Sequence, residues 1–147
     1  MTSIRIAEAE DAPALACLFL QLGYTTDVQT LRTQIQDGDN HRYILVAESA
    51  GRVSGVIVVS IIMPLHENGA WGVISALVVD ELYRGAKIGE RLLLEAEHFA
   101  ESRGCTQIEL SSSERREQAH KFYQKNGYQE VRKRFVKRLP SDLSLHQ

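Results

Sequence analysis

The chain has little cysteine and little proline, with two and three residues among 147. Cys17 and Cys105 lie far apart, and no pair follows the CxxC spacing of a structural metal site. Neither a disulfide framework nor a bound metal is therefore predicted. Each cysteine lies in an apolar helical or helix-end context, so we expect two buried free thiols in a reducing compartment.

Long hydrophobic runs are also absent. Residues 1–6 lack the apolar stretch of a signal peptide. The longest apolar stretch, 53–65, is broken by two serines, Gly55 and Pro64, and is too short to span a bilayer. We therefore expect a cytoplasmic protein. The net charge of −2 gives no reason to expect nucleic acid or a membrane as a partner.

The rest of the composition is that of a globular domain. Hydrophobic residues make up 44% and charged residues 24%, and 147 residues suit one domain with a single core. Hydrophobic periodicity predicts the order β-α-α-β-β-β-α-β-α-β, without linker or repeat. This order is typical of an α/β or α+β domain around one mixed sheet, here spanning residues 1–147 with a frayed tail at 140–147.

The predicted strands are short and rich in β-branched residues. They cover residues 3–7, 42–49, 53–62, 70–80, 106–110 and 128–139. Side chains that favour caps mark the helix ends. The predicted N-caps are Asp11, Asp27 and Ser113, and the predicted C-terminal stops are Gly23, Gly38 and Gly127. Ala50 and Gly51 predict a tight hairpin turn.

The most informative stretch is residues 77–93, which read LVVDELYRGAKIGERLL. An apolar strand runs into a turn that opens a helix, whose first N–H groups and partial positive charge can bind a phosphate. Gly85 and Gly89 allow a ligand close to the backbone, and Arg84 and Lys87 add positive charge. A plain strand–turn–helix connection also uses glycines, so this motif alone is weak evidence.

A second motif makes the first specific. Residues 84–89 read RGAKIG, and residues 119–128 read AHKFYQKNGY. They resemble the acetyl-CoA motif Arg/Gln-x-x-Gly-x-Gly/Ala and the later AxxFYxxxGF motif of the GNAT family of N-acetyltransferases. The spacing fits and the resemblance covers essentially the whole chain, which is identified as a member of that family.

The resemblance implies a fold, a reaction and a binding site. The implied fold is a single-domain GNAT-like α/β (α+β) fold, with splayed central strands in a mixed, mostly antiparallel sheet and about four flanking helices. The implied reaction moves an acetyl group from acetyl-CoA, the cosubstrate, directly to a primary amine while both are bound. The residues implied to bind acetyl-CoA are Leu77, Val78, Val79, Arg84, Gly85, Ala86, Lys87, Ile88, Gly89 and Tyr123.

One motif position departs from the family. Lys87 stands where the family usually has glycine, although some members also lack it. The backbone N–H survives the change, so pyrophosphate binding can survive as well. Because a lysine with positive φ is strained, we expect Lys87 to adopt ordinary helical angles.

Tyr123 is the predicted acid, since the family's tyrosine at this position faces the CoA sulfur. A phenol with an ordinary pKa of about 10 can donate a proton to a thiolate whose conjugate acid is near 8.5. Packing beside Phe122 is the alternative role for this side chain.

The general base is harder to assign, because the strand 70–79 lacks the glutamate that family members often place there. The candidates are Glu67 and His66 on the preceding loop, or a water held by Ser75. His120, one turn from Tyr123, is more typical of helix packing. A base is unnecessary if part of the amine is already neutral.

Residues 104–139 are also similar to the aminoalkylphosphonate N-acetyltransferase subgroup. That subgroup carries a glutamate on the strand equivalent to 70–79, and its absence here weakens the case for a phosphonate substrate. Substrate contacts are expected from residues 22–40, the loop 63–69 and the final hairpin. Asp37 and Asp39 are better explained as solvated carboxylates than as ammonium ligands.

Basic residues are concentrated at 132–138. They divide between both faces of a predicted strand and have acidic neighbours, so we interpret them mainly as a charged edge strand that resists aggregation. Binding of an acidic substrate or of the 3′-phosphate of CoA is the alternative.

Three functions remain open at this stage. The chain acetylates a small amine, or it acetylates a lysine or N-terminus of a peptide or protein, or it is a non-catalytic acyl-CoA-binding module. The missing glutamate is the only support for the third, and Tyr123 argues against it. Exposed edge strands are compatible with a homodimer.

Overall fold

The computed structural model describes residues 1–111, 117–131 and 135–140. The chain divides into two compact units, Met1–Ser111 and Ser112–Gln147, and each is described by itself. Ser113, the basic residues 132–134 and the predicted tail at 141–147 lie outside the described residues.

The first unit is built on a five-stranded sheet in the order β1-β2-β3-β4-β5. Four strands pair antiparallel, and β5 pairs parallel to β4. The strands are β1 (Thr2–Ile6), β2 (Arg42–Ser49), β3 (Arg52–Ile62), β4 (Ala70–Val79) and β5 (Cys105–Leu110). The expectation of a mixed, mostly antiparallel sheet is confirmed.

Four α-helices accompany the sheet. They are α1 (Ala12–Leu22), α2 (Val28–Asp37), α3 (Ile88–Ser102) and, in the second unit, α4 (Glu117–Lys125). Short 3-10 helices occupy Ala9–Asp11 and Glu81–Tyr83. The predicted stops are confirmed at Gly23, Gly38 and Gly127, all of which have positive φ. Asp27 caps α2 by accepting a hydrogen bond from the Thr30 N–H at 2.9 Å.

The two faces of the sheet bury different helices. Leu15 and Leu18 of α1 pack with Val46, Val56 and Val78 on one face. On the other face, α3 buries a stripe spaced by three and four residues, as an amphipathic helix does. This stripe consists of Ile88, Leu92, Leu93, Ala96 and Ala100.

Two glycines allow α3 to approach the sheet closely. A Cβ built on Gly55 of β3 would stand 3.0 Å from Leu92 Cδ1 and 3.2 Å from Ile88 Cγ2. A Cβ on Gly72 of β4 would stand 3.2 Å from the Cβ of Ala100. At Gly55 and Gly72, therefore, no side chain from the strands separates the beginning or the end of α3 from the sheet.

Asp11 has a different role from the one predicted. It precedes α1 without a side-chain cap bond, and its carboxylate accepts two hydrogen bonds from Arg5, at 2.8 and 2.9 Å, and one from the Glu8 N–H. Arg5 also pairs with Glu48 of β2. The Arg5 guanidinium, and after it the Glu8 N–H, hold the pKa of Asp11 below its ordinary value. The carboxylate thus ties β1 to the start of α1.

The hairpin turn between β2 and β3 is confirmed. Ala50 and Gly51 have φ of 52° and 79°, the left-handed pair that a two-residue hairpin requires. The strand limits also match the sequence pattern closely, with β2 placed at the predicted residues.

Two other expectations are wrong. Cys17 is exposed, because it lies out of phase with the buried Leu15 and Leu18, and Cys105 is only half-buried; burial raises the pKa of the Cys105 thiol. Both thiols are free. The described residues 128–131 and 135–139, expected in a strand, form neither strand nor helix, because strand propensity alone does not form a strand without a ladder to join.

No helix in the described parts of the chain is long and apolar enough to cross a membrane. The same parts contain no cluster of three or more side chains suited to a metal ion.

Candidate active site

The sheet opens beside the second half of β4. Pairing with β5 runs from Ala70↔Cys105 to Ile74↔Leu110 and ends there, whereas pairing with β3 continues to Val79. Among the described residues, no strand pairs with the β5 side of β4 after Ile74. Within the described residues β4 is therefore paired on one side only beyond Ile74, and the splay of the central strands stays a prediction.

The backbone groups of Leu77 and Val79 point toward this opening. The Asp80 N–H donates to the Ser54 carbonyl at 2.8 Å, which makes Asp80 a hydrogen-bonded partner of β3. Because such partners alternate along an antiparallel strand, Val78 also faces β3, and Leu77 and Val79 direct their N–H and C=O groups to the other side. The opening thus presents donors and acceptors to a ligand.

A β-bulge lies where the pairing with β5 ends. Val58 of β3 pairs with Ala76 and Val59 pairs with Ile74, so Ser75 is an extra residue without a partner on β3. A bulge redirects side chains, and it is often found beside active sites. Here it brings Ser75 and Ala76, two consecutive residues, to the same cavity.

This cavity, called the Ser75 cavity below, has a volume of about 230 Å³. Its floor is a row of aligned strand residues, Ile44, Val58 and Ala76. Its roof is formed by α1 and α2. The full lining is Leu15, Phe19, Leu31, Gln34, Ile35, Arg42, Ile44, Val58, Ser75 and Ala76.

The turn after β4 has an ordered backbone. Asp80 caps the 3-10 helix by accepting a hydrogen bond from the Leu82 N–H at 3.0 Å. Arg84 is extended, and Gly85 has a φ of 91° that glycine adopts without strain. A Cβ on Gly85 would meet no atom within 4 Å, so the backbone at this point faces open space.

Lys87 contradicts the expectation of helical angles. It is the N-cap residue of α3 and lies in the left-handed region, with φ 60° and ψ 24°. The turn needs this conformation to reverse the chain into the helix, which explains why glycine is usual here. A lysine in this region is strained by about 1–2 kcal/mol.

The N-terminus of α3 carries no side-chain cap. Its first-turn N–H groups at Ile88 and Gly89 lack intrahelical partners and carry partial positive charge. Arg84 and Lys87 are exposed cations beside them. Ile88 itself is anchored in the core at 2% exposure, so the turn is held in place while its backbone stays accessible. The arrangement suits a pyrophosphate.

Tyr123 lies on α4 in the second unit. Its ring is in edge contact with Phe122 and Tyr128, at centroid distances of 5.3 and 6.0 Å. The Tyr128 N–H donates to the Tyr123 carbonyl at 2.9 Å and closes the end of the helix. Phe122, Tyr123 and Tyr128 therefore form a local aromatic cluster at the end of the helix. His120 is half-buried on the same helix.

The base candidates other than Ser75 lie elsewhere on the first unit. Glu67 and His66 are on the loop before β4, and their side chains approach each other at 3.9 Å. The strand from Ala70 to Ser75 alone spans about 17 Å, so neither residue reaches the Ser75 cavity. Asp37 is exposed at the end of α2, and the carboxylate of Asp39 accepts a hydrogen bond from the His41 N–H.

Arg42 and Gly55 were not singled out from the sequence. Arg42 begins β2 and supplies the one charged side chain of the Ser75 cavity among the described residues. An arginine at the start of a strand reads as a surface residue, so no sequence signal identified it. Gly55 positions the start of α3, and a glycine inside a β-branched strand was a usable signal of close approach.

Comparison with known proteins identifies the family of the chain. The model of the acetyltransferase (GNAT) family matches residues 9–128. The chain is 34% identical over 139 residues to aminoalkylphosphonate N-acetyltransferase from Salmonella typhimurium, covering 92% of this chain and 90% of the relative. It is also 34% identical over 82 residues to glucosamine 6-phosphate N-acetyltransferase from Trypanosoma brucei brucei, covering 55% of this chain and 54% of that protein.

A solved structure confirms the fold. A GNAT family acetyltransferase from Staphylococcus aureus superposes with a TM-score of 0.78 at 24% identity, over 94% of this chain and 98% of that one. The family match extends over more than three quarters of the chain and reaches into the second unit as far as residue 128. The chain therefore belongs to the GNAT family and is an acetyl-CoA-dependent N-acetyltransferase.

Proposed function

We propose that the protein transfers the acetyl group of acetyl-CoA directly to the primary amine of a small molecule, with both substrates bound together. The observation that carries the proposal is the Ser75 cavity, which adjoins the open edge of β4 at the bulge. A thioester lying along that edge and an amine in the cavity would meet beside Ser75.

In this proposal the first unit binds acetyl-CoA in two places. The backbone of Leu77–Val79 hydrogen-bonds the pantetheine arm, in the manner of an added strand. The turn Arg84–Gly89 receives the pyrophosphate through its N–H groups, with Arg84 and Lys87 adding charge. The support is the alternation of backbone groups on β4 and the uncapped start of α3.

The chemical step needs no acyl-enzyme. The amine nitrogen attacks the acetyl carbon, the oxyanion is held by a backbone N–H at Leu77 or Val79, and the carbon–sulfur bond then breaks. Tyr123 gives its proton to the leaving thiolate. The proton lost by the amine passes to a water on Ser75, because no carboxylate among the described residues lines the cavity.

The size of the cavity favours a small acceptor. Sites for drug-sized ligands occupy about 300–1,000 Å³, and the Ser75 cavity is smaller than that range at about 230 Å³. The two curated relatives are named for small-molecule amines, an aminoalkylphosphonate and glucosamine 6-phosphate. A peptide acceptor would need a longer groove.

The proposal treats residues 1–147 as one N-acetyltransferase domain, because the family match covers most of the first unit and continues into the second. It places the enzyme in the cytoplasm, where two free thiols stay reduced. The edge strand β1 would be the contact in a homodimer. Sedimentation of the purified protein at two concentrations tests the last point.

The experiment is a thiol-release assay with acetyl-CoA and a panel of aminophosphonates, amino sugar phosphates, polyamines, amino acids and short peptides. Release with a small amine is expected. Release with peptides alone would replace the proposal by peptide acetylation. Tight acetyl-CoA binding without release from any amine would favour the non-catalytic module.

Tyr123→Phe tests the proposed acid. Its kcat is expected to fall by about 100-fold or more, with the affinity for acetyl-CoA unchanged. Tyr43→Phe, at a tyrosine of β2 outside the Ser75 cavity, is the matched control and should keep full activity. An unchanged rate for Tyr123→Phe would remove this residue from the mechanism.

A further inference from the structure

The Ser75 cavity has one charged residue in its described lining, and that residue is basic. Arg42 is accompanied there by two polar side chains, Gln34 and Ser75, and otherwise by apolar ones. A protein that selected acceptors by their ammonium group alone would be expected to offer a carboxylate instead. The positive charge of the cavity is therefore expected to affect which amines bind there.

Arg42 faces the cavity from the side opposite the bulge. Arg42 and Ile44 are alternate residues of β2 and share a face, and Ile44 aligns across β3 with Ala76. Two strand spacings separate β2 from β4, which places Arg42 about 10 Å across the sheet from the bulge. A short molecule could contact both at once.

Most N–H donors of the Arg42 guanidinium have no hydrogen-bond partner among the described residues. Its described hydrogen bond is a long one, 3.4 Å, to the Gln34 carbonyl of α2. No carboxylate among the described residues pairs with Arg42, although the side chain is half-buried. A guanidinium offers five N–H donors, and its fork matches the oxygens of a phosphonate, phosphate or carboxylate. A partly buried, unpaired cation is itself an incomplete site.

We propose that Arg42 is a specificity-determining residue that binds an oxyanion on the acceptor, while the acceptor's amine lies at Ser75. This inference rests on the proposed function. Acceptors that carry an amine and an anionic group a few atoms apart would be preferred. Polyamines, which bring only positive charge, would be disfavoured by repulsion from Arg42.

The kinetic test compares 2-aminoethylphosphonate with 3-aminopropanol, an amine of similar length that carries no anionic group. The wild type is expected to prefer the phosphonate, and Arg42→Gln should lower its kcat/KM by about 10- to 100-fold with little effect on the alcohol. The KM for acetyl-CoA should not change. Arg52→Gln, which removes the same charge at the exposed start of β3 outside the cavity, is the control. Equal losses for both amines would overturn the inference, because Arg42 would then be structural.

A binding test separates this inference from the proposed function. Methylphosphonate, inorganic phosphate and acetate carry no amine, and calorimetry should show binding to the wild type and to Arg52→Gln but not to Arg42→Gln. The three anions also identify the preferred oxyanion. Failure of all three to bind the wild type would overturn the anion site even if amines are acetylated. Binding through Arg42 without turnover of any amine would keep the site and refute the proposed function.

Discussion

From Trp71 to Ile74, β4 is hydrogen-bonded to β3 on one side and to β5 on the other, and Gly72 and Ile74 are buried. From Ser75 to Val79 the same strand is paired with β3 alone among the described residues, and it begins with an exposed bulge. The first half is part of the scaffold, and the second half leads into the turn that opens α3.

The difference shows how one strand serves two purposes. A strand paired on both sides has no backbone group left for a ligand, whereas an edge presents a row of donors and acceptors. The bulge at Ser75 marks the change between the two. Substitutions in the first half of β4 should therefore affect stability. Substitutions in the second half and in the turn after it should affect the affinity for acetyl-CoA.

The largest effect is expected for Gly85→Ala in the turn. The left-handed φ of 91° strains an alanine by about 1–2 kcal/mol. A methyl group facing open space would also obstruct the pyrophosphate, and loss of one charge-assisted hydrogen bond weakens binding by about 10- to 100-fold. Calorimetric titration with acetyl-CoA measures the change.

Gly104→Ala is the matched control for that variant. Gly104 has a φ of 78° with open space around its Cβ position, but it lies at the other end of α3. Gly104→Ala should lower the free energy of unfolding by an amount similar to Gly85→Ala and leave the affinity for acetyl-CoA unchanged. Equal affinity losses in both variants would mean that strain, and not ligand contact, explains the result.

Low pH should lower the free energy of unfolding through the Arg5–Asp11 pair, which is not part of the open half of β4. The pKa of Asp11 is lowered chiefly by Arg5, so the unfolded chain takes up this proton at a higher pH than the folded one. The stabilisation is complete above the ordinary pKa of the carboxyl and is lost as the pH falls through the lowered value. Asp11→Asn should cost about 1.5–3 kcal/mol in urea unfolding at neutral pH.

The difference between Asp11→Asn and the wild type should shrink as the pH falls below the lowered pKa of Asp11, where both proteins lack the charge. Acetyl-CoA affinity at neutral pH should be the same in the two proteins. A difference in stability that does not depend on pH would contradict the assigned role of the Arg5–Asp11 pair.

Gly72→Ala tests the paired half of β4. Its Cβ would stand 3.2 Å from Ala100 Cβ and 3.4 Å from Ile108 Cγ1, so we expect a loss of about 1–2 kcal/mol from overpacking. Chemical denaturation measures it. Acetyl-CoA affinity should stay within about twofold of the wild type, or roughly 0.4 kcal/mol. An affinity loss as large as that expected for Gly85→Ala would contradict the functional difference between the two halves of β4.

Lys87→Gly is expected to give the smallest effect, and it should stabilise. Relief of left-handed strain, about 1–2 kcal/mol, is partly offset by the flexibility of glycine in the unfolded chain, leaving a gain of about 0.5–1 kcal/mol. Lys87→Ala removes the same charge but keeps the strain, so its stability should match the wild type. Destabilisation by Lys87→Gly would show that the lysine side chain contributes more than its backbone costs.

Much of the fold followed from local patterns. The β2 limits, the left-handed pair Ala50 and Gly51 and the cap by Asp27 depend on residues close in sequence, and they were predicted correctly. The family motifs also located the turn at Arg84–Gly89. These features have a sequence signal because neighbouring residues determine their conformation.

The features that were missed depend on distant parts of the chain. Lys87 is left-handed because the position of α3 against β3 and β4 fixes the turn, which overrides the preference of a lysine. The bulge at Ser75 exists only in the register with β3, and the cavity that contains Arg42 needs two helices and three strands. Asp11 was assigned as a cap because its partner Arg5 is on another element.

The central claim is that acetyl-CoA binds along the open half of β4 and at the start of α3. Amide chemical shifts followed by NMR during titration with acetyl-CoA test it most directly, since each residue reports for itself. The account predicts large changes at 75–79 and 84–89 and small ones at 70–74. Changes centred on 70–74, with the turn at 84–89 unaffected, would contradict it.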